Sequence, residues 1–395
     1  MTPSKKDNQK IKVLVWLSGG VDSAVAAYLL KQQWYEVTGG FMKNYVSETG
    51  NCTTYDDATE AIKVADFLWI KLLSFDLQKE YNEKIINYIY EWYKKWITPN
   101  PDVLCNSLIK FDVFLQKALD MGFDYIATGH YARIEDAENV PRATLNVTPK
   151  TSKWKSKPED NKIYKLLKWH DSNKDQSYFL AGLNQFQLSK SLFPIWALEK
   201  PEVRKIAKQI WLPNAERKDS QGLCFVGNVP IRTFLEQKLP KKEWTTIDEQ
   251  WTVIGKHQGA RFFTIGQRQG LNLPPDRYVT KIDVKKNIVT VWPRWSEFLN
   301  QKEIHLTDRH RIGQEYALPL EVGAKIRYRQ IEPQPAVLVK SPKSIKSKVK
   351  WSTLQPWWLD DLMTIVFDDE QWAVAPGQVV VAYIGDECIG SGIIE

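Results

Sequence analysis

A short apolar, β-rich run, Ile11 to Leu17, gives way to a helical pattern in which Val21, Ala24, Val25, Tyr28 and Leu29 share one face. Between the two stands Ser18-Gly19-Gly20-Val21-Asp22-Ser23. This junction constrains the chain more than any other feature. Two glycines let the backbone turn sharply and bring its N–H groups close to a ligand, and the helix start behind them favours an anion. Ser18 and Ser23 add hydroxyl donors, and Asp22 is a candidate magnesium ligand. The loop lacks the lysine of a Walker A sequence, so it is a phosphate loop of another kind.

The alternation continues. Val37 to Met42 and Ile70 to Phe75 read as strands, and Thr54 with Asp57 as a helix start before Ala58, Ala61, Ile62, Ala65 and Leu68. Leu77 to Lys95 reads as a long helix, broken by Thr98-Pro99-Asn100-Pro101-Asp102 because proline disfavours helix at and before itself. Another helix runs through Met121, and Tyr125 to Thr128 is a fourth strand. Such a pattern predicts an α/β fold with a Rossmann-like parallel sheet, whose ligands bind at the carboxyl ends of its strands. Residues 137–162 read as a polar surface loop and Pro201 to Ile210 as a helix. After Gly227 short β-type runs take over, including Phe262-Phe263-Thr264-Ile265, Val279 to Val284 and Ile288 to Val291. From Ile304 nearly every segment reads as a short strand, which predicts a C-terminal β-barrel or sandwich. The expected division is 1–225, a small central β-rich domain 226–302, and 303–395.

Composition removes several function classes. No apolar run is long enough for a membrane helix. The start, Met1-Thr2-Pro3-Ser4-Lys5-Lys6-Asp7, has no signal-peptide core, so a cytoplasmic location is expected. The four cysteines, Cys52, Cys105, Cys224 and Cys388, form no C-x-x-C pair, which argues against structural zinc and a secreted disulfide framework. A redox or nucleophilic role for one or two thiols remains open. The net charge of +7 is compatible with a polyanionic partner without requiring one.

Two further motifs carry thiols: Asn100-Pro101-Asp102-Val103-Leu104-Cys105-Asn106 and Lys218-Asp219-Ser220-Gln221-Gly222-Leu223-Cys224-Phe225. With them come Thr128-Gly129-His130-Tyr131-Ala132-Arg133, Lys174-Asp175-Gln176-Ser177-Tyr178-Phe179-Leu180, Phe263-Thr264-Ile265-Gly266-Gln267-Arg268 and Ala375-Pro376-Gly377-Gln378. The serine–glycine loop resembles that of the PP-loop ATP pyrophosphatases, and the ordered set from about residue 11 to the C-terminus resembles the tRNA-specific 2-thiouridylases.

The resemblance implies ATP-dependent 2-thiolation of the wobble uridine of tRNA. ATP adenylates the C2 oxygen, because a uridine carbonyl is a poor electrophile with a poor leaving group. Cys224 would carry sulfur as a persulfide, Cys105 would release it by forming a transient disulfide with Cys224, and Asp102 would assist proton transfer. Both thiols need surroundings that lower their pKa. Cys52 and Cys388 read as inert small hydrophobes. By motif, Trp16, Leu17, Ser18, Gly19, Gly20, Val21, Asp22, Ser23, Met42 and Gly129 would bind ATP. Asn100, Pro101 and Asp102 would meet the target base. His130, Lys174, Asp175, Gln176, Arg327, Tyr328 and Gln378 would contact tRNA, with 226–302 serving as a central tRNA-binding domain. His130 also reads as a strand-end cap, and Arg327-Tyr328-Arg329 as a solvated strand face. The lysine-rich stretches Lys150 to Lys168 and Lys340 to Lys350 could extend an RNA surface or be solvated loops. The expected partners are tRNA and a persulfide donor, either a cysteine desulfurase or a sulfur-relay protein, with no membrane. ATP and Mg2+ are expected, and no permanently bound cofactor. Two rivals remain: another adenylating synthetase on the same fold, and a catalytically inactive tRNA-binding protein, for which Trp16 beside the phosphate loop speaks.

Tryptophan is the anomaly. The chain has 17 Trp against 20 Gly, and Trp16, Trp34, Trp69, Trp96, Trp169, Trp196, Trp211, Trp244 and Trp251 fall where the family resemblance calls for glycine. Trp34 follows a helix end at Gln32-Gln33, a C-cap position that glycine accepts and tryptophan accepts poorly. The pattern predicts that many of these codons are read as glycine in the source organism, as where UGA is reassigned; a genuinely tryptophan-rich variant is the alternative.

Overall fold

The computed structural model describes residues 10–45, 54–137, 162–218, 229–271, 274–283, 285–342 and 362–395. Strands β1 (Lys12–Trp16), β2 (Glu36–Lys43), β3 (Leu72–Asp76) and β4 (Tyr125–Ala127) are parallel. The chain then forms β5 (Arg133–Ala137) and β6 (Ile163–Leu167), which join a different sheet, before β7 (Ser191–Leu192) completes the first in the order β3-β2-β1-β4-β7. Alternate residues of β1 face opposite ways. Val13 and Val15 enter one buried cluster with Val25, Ala26 and Leu30 of the helix Val21–Gln32. Leu14 enters another with Tyr81, Ile85, Phe111 and Phe114. A sheet covered on both faces explains why its strands are nearly continuous in apolar residues.

The long helix expected over Leu77 to Lys95 is present as Gln78–Tyr81, a π-turn Asn82–Ile86, and Asn87–Lys94. After the proline break the next helix starts at Pro101, with Asn100 as N-cap. It runs α-helical to Cys105, π-helical over Asn106–Phe114, and α-helical again over Leu115–Asp120. The Thr54 helix start holds, with a helix over Thr54–Phe67, and the Asp57 carboxylate accepts from Arg217 at 2.5 Å.

The second sheet contains β8 (Trp244–Ile247), β9 (Val253–His257), β10 (Arg277–Asp283) and β11 (Ile288–Pro293), ordered β10-β11-β8-β9. The apolar run Phe262 to Ile265 is not a strand here. It follows a 3-10 turn, Ala260–Phe262, that buries Phe262 and Phe263 in the core. The last six strands are β12 (Asn300–Arg311), β13 (Leu320–Lys325), β14 (Gln334–Lys340), β15 (Met363–Trp372), β16 (Val379–Ile384) and β17 (Glu387–Ile394). Their order is β12-β15-β14-β13-β16-β17, and β17 pairs back onto β12, closing an antiparallel barrel with no free edge. β6 pairs with β17 and extends this sheet through β5, so the half that carries the parallel sheet and the barrel share one ladder. Tyr178 Oη donates to the Val379 carbonyl at 2.8 Å, and Ser391 Oγ to that of Ala181 at 3.1 Å, across the same seam.

Five helices end in the same way. In each, the residue after the cap has positive φ and donates to the carbonyl three back, while the next residue donates to the carbonyl five back, a Schellman motif. Glycine holds the position once, at Gly122 (φ 81°), with Gly122 N to Leu119 O at 3.0 Å and Phe123 N to Ala118 O at 3.0 Å. Tryptophan holds it at Trp34, Trp69, Trp96 and Trp211, with φ of 70°, 53°, 67° and 59°. Trp251 (φ 62°) takes the left-handed position of the β8–β9 hairpin turn. Trp69 and Trp211 are 89% and 83% exposed. Of the other four, Trp169 is well packed, its ring 4.7 Å from that of Tyr131, and none of Trp16, Trp169, Trp196 and Trp244 has positive φ.

Candidate functional site

The serine–glycine loop leaves β1 directly after Trp16, at the carboxyl end of the parallel sheet. Gly19 has φ of 77°, and a Cβ there would lie 2.6 Å from the Asp57 carbonyl oxygen, so glycine is required on both counts. The loop is braced from outside. Asn214 Nδ2 and Arg217 Nη1 donate to the Gly19 carbonyl at 2.9 and 3.1 Å. Internally, Ser23 Oγ donates to Gly20 O at 3.0 Å, and Gly20 N donates to Ser18 Oγ at 3.3 Å. Gly129 packs so closely on the helix start that a Cβ would sit 2.7 Å from Ser23 N. Leu17, Val21 and Met42 are buried behind the loop.

Asp22 is not an open metal ligand in this arrangement. Lys200 Nζ lies 2.7 Å from each of its carboxylate oxygens, and Tyr131 Oη donates to it at 2.8 Å. Among the described residues no cluster of His, Cys, Asp and Glu could hold a metal ion. The arrangement does not fit a magnesium cage built by the protein.

A second concavity, of about 340 Å3, is lined by Pro99, Asn100, Pro101, Asp102, Phe179, Arg327, Tyr328, Arg329 and Gln378. Six of these were singled out from sequence, and they converge from three distant segments. The loop before the Pro101 helix is clamped by Gln378, whose Nε2 donates to Thr98 O at 2.9 Å and Pro99 O at 3.3 Å. Arg327 donates to the Trp372 carbonyl and lies over that indole at 5.7 Å. Phe179 and Tyr328 pack ring on ring at 4.3 Å. A mixed wall of aromatic faces, guanidinium groups and a carboxylate suits an unstacked nucleobase with its phosphate.

Other expected residues stand elsewhere. Lys174 is exposed, as a phosphate contact requires. Asp175 is 2% exposed; it accepts from Trp169 N, Ser177 N and Ser177 Oγ and faces the buried ammonium of Lys325 at 3.7 Å. Its side chain therefore ties the first half to the barrel. Gln176 pairs with the Tyr131 backbone. His130 is buried at the carboxyl end of β4, with Nδ1 2.7 Å from Thr128 Oγ1. Burial and, secondarily, the nearby Lys110 hold it well below the usual histidine range, so it is neutral. Cys105 is fully buried at the end of its helix turn. Cys224, Cys52 and most of both lysine-rich stretches lie outside the described residues. Lys162, Lys165 and Lys168 each face an acid: Asp136, Glu387 and Asp386. Cys388 is buried, and burial pushes its thiol far up, consistent with an inert role.

Sequence reasoning missed Lys200, Asn214 and Arg217, which hold the phosphate loop. Lys200 at the start of a polar helix, and Asn214 and Arg217 in the irregular segment after it, carry no local signal. It also missed Phe179, although that residue lies inside the Lys174–Leu180 motif.

Three family profiles cover the chain: "tRNA methyl transferase HUP domain" over residues 11–228, "tRNA methyl transferase PRC-barrel domain" over 232–293, and "Aminomethyltransferase beta-barrel domain" over 301–394. A tRNA-specific 2-thiouridylase of Flavobacterium johnsoniae is 40% identical, covering 97% of this chain and 99% of that protein. Its counterpart from Thiobacillus denitrificans is 41% identical at the same coverage. That of Pediococcus pentosaceus is 38% identical over 98% of this chain and 96% of its own. The chain belongs to the tRNA-specific 2-thiouridylase family. Membership in this 2-thiouridylase family accounts for the order of modules seen here, a parallel nucleotide-binding sheet, a small β domain and a closed barrel, and it implies ATP use.

Proposed function

We propose that this protein is a tRNA-uridine 2-sulfurtransferase that uses ATP to replace the C2 oxygen of the wobble uridine with sulfur. The observation carrying the reading is the convergence of Asn100, Pro101 and Asp102 with Arg327, Tyr328 and Gln378 on one concavity. The Asn100–Cys105 segment links that concavity to a thiol on the same helix turn.

In this reading the flipped-out uracil enters beside Asn100–Asp102, and its C2 oxygen attacks the α-phosphorus of ATP held on the Ser18–Ser23 loop, with Met42 and Gly129 beside the adenosine. The new O–P bond forms as the bond to pyrophosphate breaks, and the uracil N3 proton passes toward Asp102. Cys224 carries sulfur as a persulfide. The Cys105 thiolate attacks the Cys224 sulfur, a disulfide forms between them, and the released hydrosulfide adds to C2 as AMP leaves. A cellular thiol then supplies two electrons to reduce the disulfide. Because Cys105 is fully buried, its helix turn must open for this step. No step is assigned to magnesium, since Lys200 occupies both oxygens of Asp22; the ion would arrive with the ATP phosphates. His130, Lys174, Asp175, Gln176, Arg327, Tyr328 and Gln378 serve tRNA binding, Asp175 and Gln176 through the backbone they position. The central 226–302 domain contributes to the same surface. The sulfur donor is a cysteine desulfurase or relay protein, and the reaction belongs to the cytoplasm. Among the described residues no helix is long and apolar enough to cross a membrane.

Pyrophosphate release tests the reading. It should be stimulated by tRNA with uridine at the wobble position and not by the same tRNA with cytidine there. Equal stimulation by both would reject it.

A further inference from the structure

Lys110 lies on the same continuous helix as Cys105, is 5% exposed, and has no part in the scheme above. The π-helical stretch Asn106–Phe114 decides where it points. In an α-helix a residue five positions on lies about 140° around the axis. In a π-helix, with i to i+5 bonding, it returns close to the same face. Lys110 is thus brought toward the side on which Cys105 stands.

Its ammonium sits 4.3 Å from the centre of the Trp16 indole, and the His130 ring lies 6.5 Å from that indole. Trp16 is the last residue of β1 and His130 follows β4 by three residues, and β1 and β4 are adjacent in the sheet. From β1 the strand order proceeds to β2 and β3 on one side and to β4 and β7 on the other, so the crevice at their carboxyl ends is the topological switch point. Phe111 and Phe193 pack on His130 from behind. This packed cluster therefore combines a buried cation, a histidine held neutral by burial and by that cation, and aromatic rings. A buried ammonium is stabilised by an anion brought to it. The phosphate loop starts two residues after Trp16 and so leaves the sheet beside this cluster.

We propose that Lys110 is a further catalytic residue, whose ammonium contacts the α-phosphoryl group of the nucleotide as it passes to the uracil oxygen. The inference rests on the adenylation reading for the purpose of the ammonium, though not for its contact with a phosphate. As the uracil oxygen bonds to the α-phosphorus and pyrophosphate departs with the electrons of the broken bond, negative charge gathers on the α-phosphoryl oxygens. A fixed ammonium in a desolvated site stabilises that charge without reorganising. The indole of Trp16 covers that ammonium, so glycine at position 16 would open room for the phosphoryl group beside Lys110.

The test uses AMP and adenosine as probes, measured by calorimetry on the full chain and on its Trp16→Gly variant, each with and without Lys110→Met. Methionine keeps the length and suits the burial; Lys110→Gln is the second variant if circular dichroism shows a folding defect. The expected result is that removing the charge weakens AMP binding about tenfold or more, the size of one charge-assisted contact, and leaves adenosine binding unchanged. Trp16→Gly should tighten AMP. In turnover, Lys110→Met should lower kcat for pyrophosphate release about a hundredfold with the KM for tRNA little changed, and Lys110→Arg should recover part of it. Equal AMP affinity with and without the charge overturns the proposal, as does absence of AMP binding in both backgrounds. Since AMP binding needs neither tRNA nor thiols, failure of thiolation leaves this result readable, and the reverse holds as well.

Discussion

Replacing Trp69 and Trp211 by glycine should stabilise the protein. Both occupy the left-handed position of a Schellman motif, at φ of 53° and 59°. An L-residue pays about 1–2 kcal/mol there. Glycine escapes that strain but has more freedom to lose on folding, which returns roughly 0.5–1 kcal/mol. Little apolar burial is lost, because the two indoles are 89% and 83% exposed. The net gain is about 0.5–1 kcal/mol per site, and about 1–2 kcal/mol for the double variant, since distant sites add. Trp96 should gain less. It is half-buried, packs against the core, and lies 5.0 Å under the Arg261 guanidinium, contacts that glycine removes. The control is Gly122→Trp, which places an indole in the same motif and should destabilise by about 1 kcal/mol. Urea denaturation followed by circular dichroism at 222 nm reads all five variants without relying on tryptophan emission. A lower midpoint for Trp69→Gly and Trp211→Gly would refute the reasoning. The same geometry bears on the codon question. If these positions are glycine in the native organism, the intact mass of the natively expressed protein falls below that of the tryptophan-bearing chain at each of them. A mass that retains every tryptophan ends that idea.

Three further outcomes follow from the site and the barrel. Cys224→Ser and Cys105→Ser should each abolish 2-thiouridine formation while ATP and tRNA binding persist, and near-normal product from either variant would contradict the two-thiol scheme. tRNA binding should weaken steeply with salt through counterion release. Lys174→Glu should weaken it further without changing ATP affinity, so salt-independent binding in a filter assay would count against the RNA surface. The third concerns acid stability. His310 Nε2 lies 2.7 Å from the Leu183 carbonyl, and burial, with Arg311 adding to it, holds the imidazole down to about 4. The unfolded chain binds this proton near pH 6.5, so it carries more protons than the folded chain between there and pH 4. Stability therefore falls as pH drops through that window, by up to about 3 kcal/mol for this group. His310→Gln should flatten the pH dependence of the urea midpoint between pH 6.5 and 4; an unchanged slope would show that His310 is not the group responsible.

The phosphate loop was legible because its chemistry is contiguous: strand, two glycines and helix start occupy successive residues. The parallel sheet was legible from alternation for a related reason, since period and length report burial locally. What sequence could not give is non-local. β5 and β6 lie between strands of the parallel sheet, yet they pair with each other and, through β6, with β17, a partner more than two hundred positions away. Phe262 to Ile265 reads as a strand because an apolar run reports burial and not backbone angle; Gly259 at φ of 140° instead opens a 3-10 turn. Asp175 reads as a surface acid within a polar motif, whereas Lys325, Ser177 and the Trp169 backbone enclose it. Lys200 sits in a polar helix start that suggests only solvent, and it reaches Asp22 across 178 positions. The concavity beside Asn100 lay between these extremes. Its residues carried motif signals one by one, and only the fold placed Arg327 and Gln378 beside Asn100.

The central claim is tested most directly by the nucleosides of tRNA incubated with this protein, ATP and a persulfide source, digested and separated by mass. The account predicts 2-thiouridine at the wobble position, formed only when ATP is present and lost in Cys224→Ser. Unmodified uridine from a preparation that binds both ATP and tRNA would contradict it and favour an inactive tRNA-binding protein.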